Sequence, residues 1–150
     1  MTELRLEELS ASTIVAVNNM ELKPGQEQFL APVSYGIAAT VVNPVSSWQR
    51  VALTGDDVVG FVSANFDADE PDENFRSVLW RINVDAGVQG KGVGTFLIEQ
   101  LIEEARTRGM EFVTVIYEAG PDGPEVFFHN VGFTARGENE YGETVAEYRL

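Results

Sequence analysis

The chain has 150 residues, enough for one compact domain spanning 1–150 with its own core. Its formal charge of −14, with Lys23 and Lys91 as the lysines, argues against nucleic acid and anionic membranes as partners. The absence of cysteine excludes disulfides, thiolate metal sites and a cysteine nucleophile.

The N-terminus, "MTELRLEELS", is acidic and lacks the apolar stretch of a secretory signal, so a cytoplasmic protein is expected. Residues 4–9 read as a first strand. Residues 10–22 read as a helix capped by Ser10, and "LKPGQEQF" breaks it. A second helix is expected over 32–42, between Pro32 and Asn43-Pro44. Two apolar runs then flank Thr54-Gly55-Asp56-Asp57, a hairpin signal. The acidic loop 67–77 follows and leads into a strand over 78–85.

Residues 92–108 place Leu97, Leu101 and Ala105 at helical spacing, with Ile98 and Ile102 alongside. Glu99, Gln100, Glu103, Glu104 and Arg106 fall on the other side. The run "EFVTVIYE" (111–118) is nearly continuous in β-branched and aromatic residues, as suits a strand buried on both faces of a parallel sheet. A short helix over 123–132 starts near Pro124 and stops at Gly132. Residues 132–138 and 143–150 read as closing antiparallel strands joined around Glu140-Tyr141-Gly142. The class is mixed α/β, with a sheet partly antiparallel and partly parallel.

The entrance to the long helix is the informative stretch. Gly90, Gly92 and Gly94 stand at alternate positions, with Gln89 and Lys91 between and before them. Glycines let an anion approach main-chain N–H groups at the positive end of a helix without meeting a Cβ. This is a phosphate cradle by its chemistry; a tight turn with close helix–sheet packing is the plainer alternative. The dinucleotide fingerprint fails, because Thr95 or Leu97 falls where its third glycine belongs. The P-loop fails because Val93 holds the lysine position.

Gln89-Gly90-Lys91-Gly92-Val93-Gly94 has the form Q/R-x-x-G-x-G/A between a strand and a helix. It resembles the acetyl-CoA pyrophosphate loop of the GNAT superfamily of N-acetyltransferases. "VFFHNVGF" (126–133) resembles that family's FYxxxGF segment, and the order of elements matches throughout. "LWRINVDAGVQGKGVG", "VIYEAG" and "GETVAEYRL" are similar in style to the diamine and polyamine branch. The resemblance implies antiparallel N-terminal strands, a splayed parallel pair in the middle, antiparallel C-terminal strands and flanking helices. It also implies acetyl-CoA as co-substrate with no metal. Backbone groups at Ile82, Asn83 and Val84 would hold the pantetheine arm. The segment Gln89, Gly90, Lys91, Gly92, Val93, Gly94 and Thr95 would hold the pyrophosphate. A small-molecule amine would attack the thioester directly, and a homodimer is common in the look-alike family. The family's general-acid tyrosine falls at Phe128, which has no proton to give. That departure opens the alternative of a non-catalytic acyl-CoA-binding module. Peptide N-termini and antibiotics are alternative acceptors.

Glu118, at the carboxyl end of a parallel strand, is the candidate base, or a partner for a cationic substrate. Its neighbour Tyr117 reads as core by alternation. His129, the lone histidine, reads as surface before proton shuttle. Trp80 and Arg81 should point to opposite faces, so one meets the cleft. Tyr35 either lines an acceptor pocket or packs in the core, packing being preferred.

Overall fold

The computed structural model describes residues 3–20, 45–88, 90, 92–118, 120 and 123–150. The expected helix 32–42 and Tyr35 lie outside these residues, as do Gln89 and Lys91. The described strands form one seven-stranded sheet. In chain order they are β1 (Leu4–Glu8), β2 (Ser47–Thr54), β3 (Asp57–Phe66), β4 (Ser77–Val84), β5 (Phe112–Tyr117), β6 (Thr134–Glu138) and β7 (Thr144–Arg149). The spatial order is β1-β2-β3-β4-β5-β7-β6. Every adjacent pair is antiparallel except β4 and β5. The mixed sheet expected from the sequence is therefore present, with its parallel pair in the middle.

The β2–β3 hairpin turns at Gly55-Asp56, and Thr54 pairs with Asp57. Gly55 takes φ +60°, the left-handed value such a two-residue turn asks of its first central residue. Helix α1 is shorter than expected. It spans Ile14–Asn18, and Thr13 rather than Ser10 is its N-cap. Ser10 instead opens a preceding turn, its carbonyl accepting from Thr13 N and Ile14 N, while its own N–H donates to Thr13 Oγ1 at 3.0 Å. Ser-Ala-Ser-Thr offers competing hydroxyls, and local bonding among them delays the helix.

Helix α2 (Val93–Thr107) packs as its periodicity requires. Leu97, Ile98, Leu101, Ile102 and Ala105 are buried. They meet Val62, Leu79, Ile82, Val113 and Val115 in one core. A smaller cluster of Val17, Val51, Leu53 and Phe61 joins α1 to the sheet. Helix α3 (Glu125–Asn130) follows β5 and buries Phe128 in the larger core. Gly60 on β3 allows α2 to approach, since a Cβ there would stand 2.9 Å from side-chain atoms of both Leu97 and Val93.

Leu97 is fully buried where α2 meets the sheet. Leu97→Ala is expected to cost about 2–5 kcal/mol, by lost transfer energy and an unfilled cavity. Chemical denaturation of both proteins measures it.

Candidate coenzyme and acceptor site

The parallel pair is joined at one end only. β4 and β5 pair at Val78–Thr114 and Leu79–Val115. β4 continues to Val84 and β5 to Tyr117, so the two strands part beyond Leu79 and Val115. On its other side β4 stays paired with β3 up to Val84. β5 stays paired with β7 along all six residues. The result is a cleft that opens toward the carboxyl ends of both strands. Ile82, Asn83 and Val84 lie on β4 beyond its last pair with β5. The Asn83 side chain adds a feature invisible in the sequence: its amide oxygen is buried and has no hydrogen-bond partner among the described residues.

The open end of the cleft leads to the glycine turn. Gly90 and Gly92 adopt φ +83° and +86°, and a Cβ on either would meet nothing within 4 Å. Both therefore supply a left-handed backbone and face open space. Gly92 is the N-cap of α2 and provides no side-chain cap. Its carbonyl accepts from Phe96 N at 3.0 Å, which starts the helical ladder. Helix geometry then leaves the N–H groups of Val93, Gly94 and Thr95 without intrahelical acceptors. These donors, at the positive end of a fifteen-residue helix, suit an anion. Gly94 has a different reason from the one expected. It is buried, and a Cβ there would come within 2.9 Å of the Phe127 ring. Close packing of α2 on α3 fixes that glycine, so the three do not share one role.

Alongside the turn, a groove of about 700 Å³ runs between α2 and α3. Thr95, Ile98, Glu99, Phe127 and Asn130 are among its lining residues. Its volume is that of a small-ligand site.

The acceptor candidates are arranged differently from the sequence expectation. Strand alternation is interrupted between Leu79 and Arg81. Ala64 pairs with Leu79 and Ser63 with Arg81, so Trp80 is skipped as a bulge. Trp80 is 38% exposed and stacks on Phe75, with ring centroids 5.6 Å apart. Phe75 belongs to a 3₁₀ turn (Glu73–Phe75) inside the acidic loop, a turn the sequence reading did not anticipate. Arg81 is only 3% exposed and lies in register with Ser63, which in turn faces Gln49. Glu118 stands exposed one residue past β5, at the cleft mouth. His129 is exposed on α3.

Phe128 is 1% exposed and stacks on Tyr117, centroids 5.5 Å apart and rings inclined by 22°. Burial pushes the Tyr117 phenol above its usual pKa, and the negative charge of Glu125 adds to the effect. At the closed end of the cleft the Thr114 hydroxyl donates to the carbonyls of Asn74 (2.5 Å) and Ser77 (3.3 Å). Among the described residues, no group of three or more His, Asp or Glu side chains is placed to hold a metal ion. No helix among them is long and apolar enough to cross a membrane.

Comparison with known proteins bears on this geometry. The model of the acetyltransferase (GNAT) family matches residues 17–133. The chain is 38% identical over 63 residues to the L-2,4-diaminobutyric acid acetyltransferase of Shouchella clausii, covering 42% of this chain and 34% of that protein. It is 36% identical over 72 residues to the histone acetyltransferase TAP1 of Glycine max, covering 47% and 29%. The chain thus spans about a third of the length of the curated relatives it matches. The fold is similar to that of the PaiA N-acetyltransferase of Thermoplasma acidophilum, solved in complex with coenzyme A. There the TM-score is 0.77, with 11% identity and 99% of each chain covered.

Gly92→Asn separates cradle from turn, because asparagine tolerates the left-handed backbone while filling the open space. Coenzyme A affinity is expected to fall at least about tenfold while thermal stability falls only slightly. Calorimetric titration and a melting curve on the same variant give both numbers; equal losses would mark a structural turn.

Proposed function

The chain belongs to the GNAT acetyltransferase family, and from that premise we propose that it is an acetyl-CoA-dependent N-acetyltransferase acting on a small primary amine. Diamines and polyamines are the favoured acceptors. The observation that carries the reading is the parting of β4 from β5 onto a glycine turn where a Cβ on Gly90 or Gly92 would meet nothing within 4 Å.

In this reading the chain's own residues divide the work. The N–H groups of Val93, Gly94 and Thr95 hold the coenzyme's diphosphate, with Gly90 and Gly92 giving it room. Gln89 and Lys91 add a donor and a positive charge. The β4 edge at Ile82, Asn83 and Val84 bonds the pantetheine amides as an added strand would. The groove between α2 and α3 takes the nucleoside end. The bound coenzyme supplies the activated acetyl group.

An ammonium acceptor must lose a proton before it can attack. Glu118 takes that proton, directly or through water, from its place at the cleft mouth. The exposed face of Trp80, braced by Phe75, offers a π surface to the cationic chain of the acceptor. The acidic loop, with Asp67, Asp69, Glu70, Asp72 and Glu73, raises the local concentration of cations. The name of the Shouchella relative, a diaminobutyric acid acetyltransferase, is in keeping with an acceptor that carries two amines.

A second reading, a non-catalytic acyl-CoA-binding module, draws on Phe128, whose buried ring carries no proton donor. A thiol-release assay with acetyl-CoA over diamines, polyamines, diamino acids and peptide N-termini decides between the two. Turnover of a diamine, polyamine or diamino acid supports the enzyme. Tight coenzyme binding without turnover supports the module. Within the active panel, Glu118→Gln is expected to lower kcat/KM for the amine by about 10²–10⁴-fold, with coenzyme affinity unchanged. Unchanged activity would remove Glu118 from the mechanism.

A further inference from the structure

Acetyl transfer from a thioester releases a thiolate, and negative charge builds on sulfur as the bond breaks. A preorganised donor aimed at that charge is worth much of the rate. Phe128 offers no donor. Tyr117 stands beside it. This residue ends β5, two positions beyond Val115, the last β5 residue paired with β4. It is therefore at the mouth of the cleft rather than at its closed end. Its ring is 2% exposed and stacked on Phe128. Buried phenol hydroxyls ordinarily find a partner. Among the described residues the Tyr117 hydroxyl has none. Nor is it among the partnerless polar atoms shut off from solvent, as the amide oxygen of Asn83 is.

We infer that the Tyr117 hydroxyl donates a hydrogen bond to the departing sulfur, moving to β5 a role that the family resemblance sets at position 128. The inference rests on the acetyl-transfer reading above. In the reaction a nitrogen–carbon bond forms, the carbon–sulfur bond breaks and sulfur keeps the electron pair. The amine proton leaves through the base to solvent, and the thiolate later collects a proton from solvent.

Magnitudes decide between hydrogen bond and full proton transfer. A thiol ordinarily ionises near ~8.5 and a phenol near ~10. Burial and Glu125 push Tyr117 higher still. Complete transfer to sulfur is thus uphill, and the proton stays on oxygen. The negative charges of Glu125 and of Glu118, one residue along, both oppose thiolate formation. The positive end of α2 works the other way, so the comparison with Tyr117→Phe, which leaves every charge in place, isolates the hydroxyl.

The test titrates the thiol of bound coenzyme A by its ultraviolet thiolate absorbance, in the wild type and in Tyr117→Phe. The expected result is a thiol pKa below that of free coenzyme A in the wild type. In the variant it rises by about one unit, a tenfold change. Coenzyme affinity should move by less than about threefold, and kcat should fall about 100-fold. Adding Phe128→Tyr to the variant returns a hydroxyl to the adjacent ring and should recover part of both losses. A thiol titration that ignores Tyr117→Phe overturns the inference, whatever happens to kcat. Failure of the wild type to bind coenzyme A would instead overturn the reading on which it rests.

Discussion

Two parallel strands that share two residue pairs and then separate impose a requirement on everything around them. The separated edges carry main-chain donors and acceptors that a sheet would normally satisfy, and leaving such groups bare in a protein interior is costly. Here the separation is held from both flanks, by β3 along β4 and by β7 along β5. At the closed end, Thr114 sits fully buried opposite Val78 and gives its hydroxyl to the Asn74 and Ser77 carbonyls. That bond ties the 3₁₀ turn of the acidic loop to β5. In the proposed function a ligand with amides along its length would complete the edges, and its anionic end would emerge at the glycine turn.

Recognition through main-chain groups has an electrostatic corollary. The protein carries a net charge of −14, so its long-range field opposes an anionic coenzyme. At physiological salt that field is screened over about 8 Å, whereas N–H groups in contact with a diphosphate act within hydrogen-bond distance. Contact donors win at short range. The same net charge that hinders an anionic ligand would favour a cationic one, so under the proposed function acceptor and coenzyme would be drawn by different parts of the electrostatics.

Much of this was legible in the sequence because it follows from periodicity and backbone constraint. The 3.6-residue spacing of Leu97, Leu101 and Ala105 has one comfortable solution, a helix with that face buried. The continuous apolar run of β5 reads as a doubly covered strand, and Gly55 with its acidic neighbours reads as a hairpin. Gly90 and Gly92 were legible for the same reason, since left-handed backbone favours glycine. Features that depend on a partner strand were not legible. The bulge at Trp80 exists only relative to the register of β3, so alternation along β4 alone could not show it. The reason position 94 must be glycine, its close approach to the Phe127 ring, was not legible either. Tyr117 was assigned to the core correctly, yet alternation reports which face a residue takes and not which ring it meets. The stack on Phe128 needed α3 to be placed. Ser10 was mistaken for the cap of α1 because hydroxyl-rich stretches offer several local hydrogen-bond schemes of similar energy.

The central claim, that main-chain amides at the start of α2 grip the diphosphate of a coenzyme, is tested most directly by following backbone amide NMR signals as coenzyme A is added to the labelled protein. The account expects the largest shifts at Gly90 and Gly92 through Thr95, accompanied by smaller ones along Ile82–Val84. Saturable binding with those amides unmoved, and the shifts gathered elsewhere on the sheet, would contradict it.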